Sequence, residues 1–201
     1  MTKNSVAAAL AALLLVLPFG RPASAQQGDW IWDFQYSTVL GAGDTGDFAG
    51  DFSWRGVTVD VRKVMSPSLS IGLETGWHVM DEEFSGTLQL PSGAITGTSF
   101  QYVNSIPVLL TGEYQFQTGG ELQPFAGAGI GTYWIENRTE AGVFAVDDSN
   151  WHFGLMGEAG IAFLRPNDTA FTFTARYNWA FETNDVERPY WTFSAGYRVV
   201  L

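Results

Sequence analysis

Eight ionisable residues fall on one side of an alternating chain: Asp33, Asp60, Arg62, Glu74, Glu113, Glu158, Arg176 and Arg198. Five carboxylates and three guanidiniums so placed could pair with one another in a narrow space, because an unpaired buried charge costs several kcal/mol. They could equally line a narrow passage and select small ions by charge. His78 and His152 share that side and could act as bases, metal ligands or hydrogen-bonded wall residues. Hydrolysis would need a nucleophile, a base and an orienting acid within reach. Val79-Met80 follows His78 and Phe153-Gly154 follows His152, so neither histidine begins a His-x-Ser pairing. A glycine-rich phosphate loop and a nucleophile elbow are also missing from the sequence. The chain has no cysteine, which excludes a disulfide framework, a thiolate metal site, a cysteine nucleophile and a lipid-anchored N-terminus. The expectation is a protein without catalytic residues, cofactor or metal site.

The elements that must position these charges are strands. Eight runs of period two span about 30–40, 53–64, 69–79, 101–116, 122–137, 151–164, 170–180 and 190–201. Run one sets Trp30, Trp32, Phe34, Tyr36 and Leu40 against Asp33, Gln35 and Ser37. Run three sets Leu69, Ile71, Leu73, Trp77 and Val79 against Ser70, Glu74 and His78. Run seven sets Phe171, Phe173, Tyr177, Trp179 and Phe181 against Thr172, Thr174 and Arg176. Trp54 departs from the pattern, sharing parity with Asp60 and Arg62, and demands a bulge or an inward indole. Three connections are short (65–68, 117–121 and 165–168) and four are longer and polar: 41–52, 80–100, 138–150 and 181–189. That rhythm describes an eight-stranded antiparallel up-and-down barrel with short turns at one rim and both chain ends beside them.

Volume decides which parity faces outward. A barrel of eight strands has an interior just wide enough for side chains to fill it. The bulky parity carries close to twenty rings, each burying about 150–250 Å², which cannot share that interior. The other parity is rich in Gly, Ser and Thr, with about one charge per strand, and fits. An outward belt of rings would aggregate in water but is solvated by a bilayer, where a sheet must close on itself. Ten or so tilted residues cross a band of about 25 Å. A soluble ligand-binding barrel, with the rings inside, is the competing reading.

Tryptophan placement follows the same logic. Trp77, Trp134, Trp151, Trp179 and Trp191 lie near the long-loop ends of their strands, and Trp30 and Trp32 at the opposite rim. Indole favours the headgroup level, so these seven read as an aromatic girdle. Residues 1–25 read as a secretory signal peptide, with Lys3, an apolar stretch from Val6 to Leu17, Pro18, and Ala23-Ser24-Ala25 before Gln26. Those twelve apolar residues would rise only about 18 Å as a helix, short of a hydrocarbon core of about 30 Å. The remainder, 26–201, is one domain with 21 acidic and 8 basic residues, a formal charge of −13. Nucleic acid is not a partner suited to such a chain.

Three passages carry a resemblance to a known family. Ser105 to Phe116 (SIPVLLTGEYQF), Pro124 to Gly131 (PFAGAGIG) and Gly196 to Leu201 (GYRVVL) resemble strands four, five and eight of the outer-membrane beta-barrel domain family, the small OmpA-, OmpX- and OmpW-like and opacity-type barrels. The resemblance implies a bacterial outer-membrane location. It also implies handling by periplasmic chaperones and the barrel assembly machinery, which reads Gly196, Tyr197, Val199 and Leu201 as a C-terminal insertion signal. That signal usually ends in Phe, and Leu201 departs from it.

Residue counts along the strands sort the inward charges into two layers. Glu74, Glu158 and Arg176 form the upper, and Asp33, Glu113, Arg62 and Arg198 the lower. Twelve acids crowd the longer loops: Asp44, Asp47, Asp51, Asp81, Glu82, Glu83, Glu140, Asp147, Asp148, Glu182, Asp185 and Glu187. They suit a solvated rim, or divalent ions bridging to lipopolysaccharide phosphates, but lack the ordered spacing of a calcium loop. Loop 80–100, with Phe84, Leu88, Leu90 and Ile95, could form a hairpin over the mouth or meet a partner. The expected role is that of a monomeric structural or surface-interaction barrel among outer-membrane lipid and lipopolysaccharide. A narrow channel for small or apolar solutes is the alternative, and an envelope-lipid-modifying enzyme the third.

Overall fold

The computed structural model describes residues 28–90, 93–141, 144–165, 167–183 and 186–201, with backbone alone for 84–99 and 141–145. The expected signal peptide, residues 1–25, lies outside the described residues. The strands are β1 (Trp30–Gly41), β2 (Ser53–Ser66), β3 (Leu69–Leu90), β4 (Gly93–Gln115), β5 (Leu122–Ala141), β6 (Phe144–Arg165), β7 (Thr169–Thr183) and β8 (Val186–Val200), and one short helix, α1 (Gly43–Phe48), follows β1. Each strand pairs antiparallel with the next, and β8 returns to β1 from Ile31↔Val200 to Gly41↔Tyr190. The chain end joins this seam, because the amides of Trp30 and Leu201 each donate to the other's carbonyl at 2.8 Å. The described residues thus form a closed eight-stranded up-and-down barrel.

Side-chain alternation is strict where the wall is regular. In β1, Ile31, Asp33, Gln35, Ser37 and Val39 are buried, while Trp30, Trp32, Phe34 and Tyr36 face out. Most of the described rings stand outside the cylinder and the eight charges named from parity inside it, which excludes the soluble binding barrel with its rings at the centre. The short turns use residues that tolerate a left-handed backbone: Gly119 (φ 70°), Asn167 (φ 65°) and Asp168 (φ 59°).

Strand length is where sequence reading and structure part. β3, β4, β5 and β6 run 22, 23, 20 and 22 residues, against 12 and 14 for β1 and β2. Runs three to six were expected to stop near the polar stretches 80–100 and 138–150. Instead pairing continues to Leu90↔Gly93 and Ala141↔Phe144, so these stretches are hairpin tips and not loops. Stretch 181–189 is likewise mostly strand, with Thr183 opposite Val186. The polar composition had suggested loop, yet a sheet that has left the membrane needs no apolar face. Pairing of β2 with β3 ends at Arg55↔Val79, and the contiguous pairing of β6 with β7 ends at Gly154↔Ala180, so β3–β6 stand above the barrel as a four-stranded wall.

Two local departures follow. Val79, expected outward, is buried, as are His78 and Met80 on either side of it, because alternation breaks where β3 leaves the barrel. Trp54 is outward and 66% exposed. Between Ser37↔Gly56 and Val39↔Ser53, β2 carries one residue more than β1, a β-bulge that turns Trp54 and Arg55 the same way. Stretch 41–52 holds α1, tied down by the Ala42 amide to the Pro189 carbonyl (3.1 Å) and the Gly50 amide to Glu82 Oε2 (2.8 Å).

Candidate functional site: the filled lumen

Buried side chains project into the lumen from the short-turn rim to the hairpin rim. At the short-turn rim Phe125, Ala162 and Ala170 form an apolar floor, and the Arg198 guanidinium lies 4.9 Å from the Phe125 ring centre. Arg198 grips Glu113 in a two-pronged contact, Nη1 to Oε1 at 3.0 Å and Nη2 to Oε2 at 2.8 Å, and gives Nε to Asp33 at 2.9 Å. Such fork geometry is the strongest form a guanidinium–carboxylate contact takes. Arg62 reaches Glu113 at 3.0 Å, Asp60 at 2.9 Å and Asp33 at 3.6 Å. Arg176 Nε lies 2.9 Å from Glu158 Oε2 and 3.1 Å from Glu74 Oε2 as ion pairs, and its Nη1 donates to Gln35 Oε1 at 2.6 Å.

The structure therefore brings all eight inward charges into one network. Two groupings correspond to Arg176 with Glu74 and Glu158, and to Arg198 and Arg62 with Asp33 and Glu113. They are not separate layers, because Arg62 Nη1 also lies 3.6 Å from Glu158 Oε1 and binds Asp60 beside it. Counting residues along a strand ignores strand tilt, which displaces neighbours in height. Arg62 and Arg176 are each 1% exposed.

Above the charges runs a chain of hydroxyls and imidazole. Ser194 meets Ser37 (2.8 Å), Ser37 meets Thr58 (3.0 Å), Thr58 meets His78 Nε2 (2.9 Å), and His78 Nδ1 meets the Tyr190 hydroxyl (3.1 Å), which also meets Ser105 (3.1 Å). His152 donates from Nδ1 to the Phe181 carbonyl at 2.8 Å. Both histidines are thus hydrogen-bonded wall residues in this structure.

An apolar cluster, a stopper in shape, stands at the hairpin end of the lumen. Val39, Met80, Val103, Tyr133, Ile135 and Tyr190 converge from five strands, with Phe48 of α1 packed on them and Arg188 over the Phe48 ring. The sequence reading missed this stopper. Its signal is in the sequence, where each residue shares parity with an inward charge or polar group on its own strand.

The outer face carries the tryptophans. Trp30, Trp32, Trp77, Trp151, Trp179 and Trp191 are 37–61% exposed, and Trp134 is half-buried beside its pair partner Trp151. Indole N–H groups of Trp77 and Trp179 reach Asn104 and Glu187, both at 3.3 Å. At the C-terminus, Gly196 sits where a side chain would meet Gln35 Cγ at 2.4 Å, Tyr197 stacks edge-on to Phe171, Val199 pairs with Trp32, and Leu201 is 72% exposed. Of the rim acids, Glu140 and Asp147 hold Arg138 at 2.7 and 3.6 Å, while Asp185 and the side chains of 84–99 lie outside the description.

Comparison with known proteins agrees with this architecture. The profile of the outer membrane protein beta-barrel domain family matches residues 9–198. The chain belongs to that family. Members of the outer-membrane barrel family share a fold across low identity. Neisserial surface protein A (NspA) is 17% identical, with 88% of this chain and 99% of that one covered at a TM-score of 0.56. OprG from Pseudomonas aeruginosa is 11% identical, with 90% and 98% covered at a TM-score of 0.51. No curated protein sequence matches. At these identities the neighbours establish the fold, and the family places the chain in the bacterial outer membrane.

Proposed function

We propose that this outer-membrane barrel is a sealed scaffold with a structural or surface-interaction role, its lumen serving as a core and its tall hairpins as the presented surface. The observation that carries the reading is the continuous filling of the lumen by the Phe125 floor, the eight-membered charge network and the apolar stopper. An ion entering this path would have to displace guanidiniums already held by two or more carboxylates. In this reading the chain is exported through its 1–25 segment, is delivered by periplasmic chaperones, and is inserted by the assembly machinery through β8. It stays a monomer amid phospholipid and lipopolysaccharide. In this reading the protein has no enzymatic role, in keeping with the hydroxyl partners of His78 and the carbonyl partner of His152 among the described residues.

Swelling of proteoliposomes in isotonic small sugars tests the scaffold against the channel. The expected rate equals that of empty liposomes, and swelling that rises with protein content would install the channel in its place. Mass spectrometry of lipid A from cells with and without the protein tests the enzyme reading, with unchanged spectra expected.

A further inference from the structure

The bulge in β2 sends two neighbouring side chains to the lipid side at the hairpin rim. Trp54 carries its carbonyl to the Tyr36 hydroxyl, which restores a partner to a backbone group that the bulge displaces. Arg55 stands opposite Val79, one outward step beyond the girdle residue Trp77, which faces Val57. That is headgroup level.

Arg55 differs from every other cation among the described residues. Arg62, Arg176 and Arg198 are held in the lumen, and Arg138 is paired with Glu140. Lys63, Arg165 and Arg188 lie over the rings of Trp30, Phe171 and Phe48. Among the described residues Arg55 is exposed and has neither an ion pair nor a ring. An unpaired guanidinium on an acidic protein, at the level of lipid headgroups, suits a phosphate.

Directly beside it the wall is hollowed. Trp54 and Tyr36 form one side of an outward groove of about 530 Å³, Phe173 and Phe193 stand in its other walls, and Ala175 and Ala195 leave its base low. Ala195 pairs with both Tyr36 and Phe173, so the depression crosses the seam between β1, β8 and β7. Its lining is almost wholly apolar and faces outward just below Arg55 in this reading, and an acyl chain is the occupant that matches it.

We propose that Arg55 and this groove together bind one phosphorylated, acylated glycolipid of the outer leaflet, the phosphate on the guanidinium and an acyl chain along Trp54 and Ala175. The proposal rests on the reading of the hairpin rim as the outer one. It supplies a lipid site on a chain whose loops otherwise repel anions.

Native mass spectrometry tests it on the folded full-length mature chain, released from micelles doped with bisphosphorylated hexa-acyl lipid A or with the same lipid stripped of phosphate. One adduct per barrel is expected with the phosphorylated form. Arg55→Gln should cut it about tenfold, the scale of one charged hydrogen bond, and should erase the difference between the two lipids. Ala175→Leu, which fills the groove from the lipid side, should weaken both forms. Heat-modifiable gel mobility shows that each variant is folded, so loss of an adduct is not loss of the barrel. Equal adducts for wild type and Arg55→Gln, or for the two lipids on wild type, would overturn the site while leaving the sealed-scaffold reading to its own swelling test.

Discussion

Arg62 is the residue on which the lumen turns. It holds carboxylates from β1, β2 and β4 and touches Glu158 of β6, so it ties strands from opposite sides of the barrel. Removing one partner of a buried pair typically costs about 3–5 kcal/mol, because the other charge is left without compensation. Arg62→Ala should therefore lower the unfolding free energy of the barrel in lipid vesicles by about that amount, read by tryptophan fluorescence in urea. Arg138→Ala removes an exposed, solvent-screened pair with Glu140 and should leave the urea midpoint close to that of the wild type. Equal losses would deny the network its structural role. Parity brought each of the eight charges within view from sequence, since charge and alternation are local properties. The partners of Arg62 were harder to see, because contacts across a lumen depend on tilt, which leaves no local trace in a strand's residues.

At the scale of elements, close strand approach depends on particular glycines. A Cβ at Gly72 would lie 2.0 Å from the Val61 carbonyl oxygen and 2.5 Å from Arg62 Cα, backbone atoms that cannot turn aside. Gly72→Ala should destabilise by about 1–3 kcal/mol, the usual range for overpacking. Gly157→Ala, with nothing within 4 Å, should leave the urea midpoint unchanged. The turn glycine at 119 and the Asn167-Asp168 pair were legible as turns because their chemistry is local. The hairpins of β3–β6 were not, since alternation of apolar and polar groups fades once neither face meets lipid. Trp54 gave the one hint of irregularity, and the bulge with Arg55 beside it explains the breach of parity. Helix α1, six residues long, carries no amphipathic repeat by which it could have been found.

For the molecule as a whole, the proposed orientation, hairpins outward, rests on the asymmetry between the rims. The short turns carry both described chain ends, and the four long connections at the other rim carry twelve of the 21 acids. Protease added to intact cells should clip only near 41–52, 80–100, 138–150 and 181–189, and cleavage at 117–121 would invert the orientation. Fold and compartment were legible because an eight-stranded barrel has too little interior for its rings, a constraint that holds for any sequence of this composition. Whether the interior is open was not legible, because the stopper residues look like ordinary strand residues until the strands are closed around them. The central claim is that the interior is closed, and unitary recording in planar bilayers meets it most directly. Wild type and Arg176→Glu barrels should both insert without current steps, since Tyr133, Tyr190 and their neighbours still block the hairpin rim. Discrete openings of the wild type, with ion selectivity that reverses in the variant, would contradict the account.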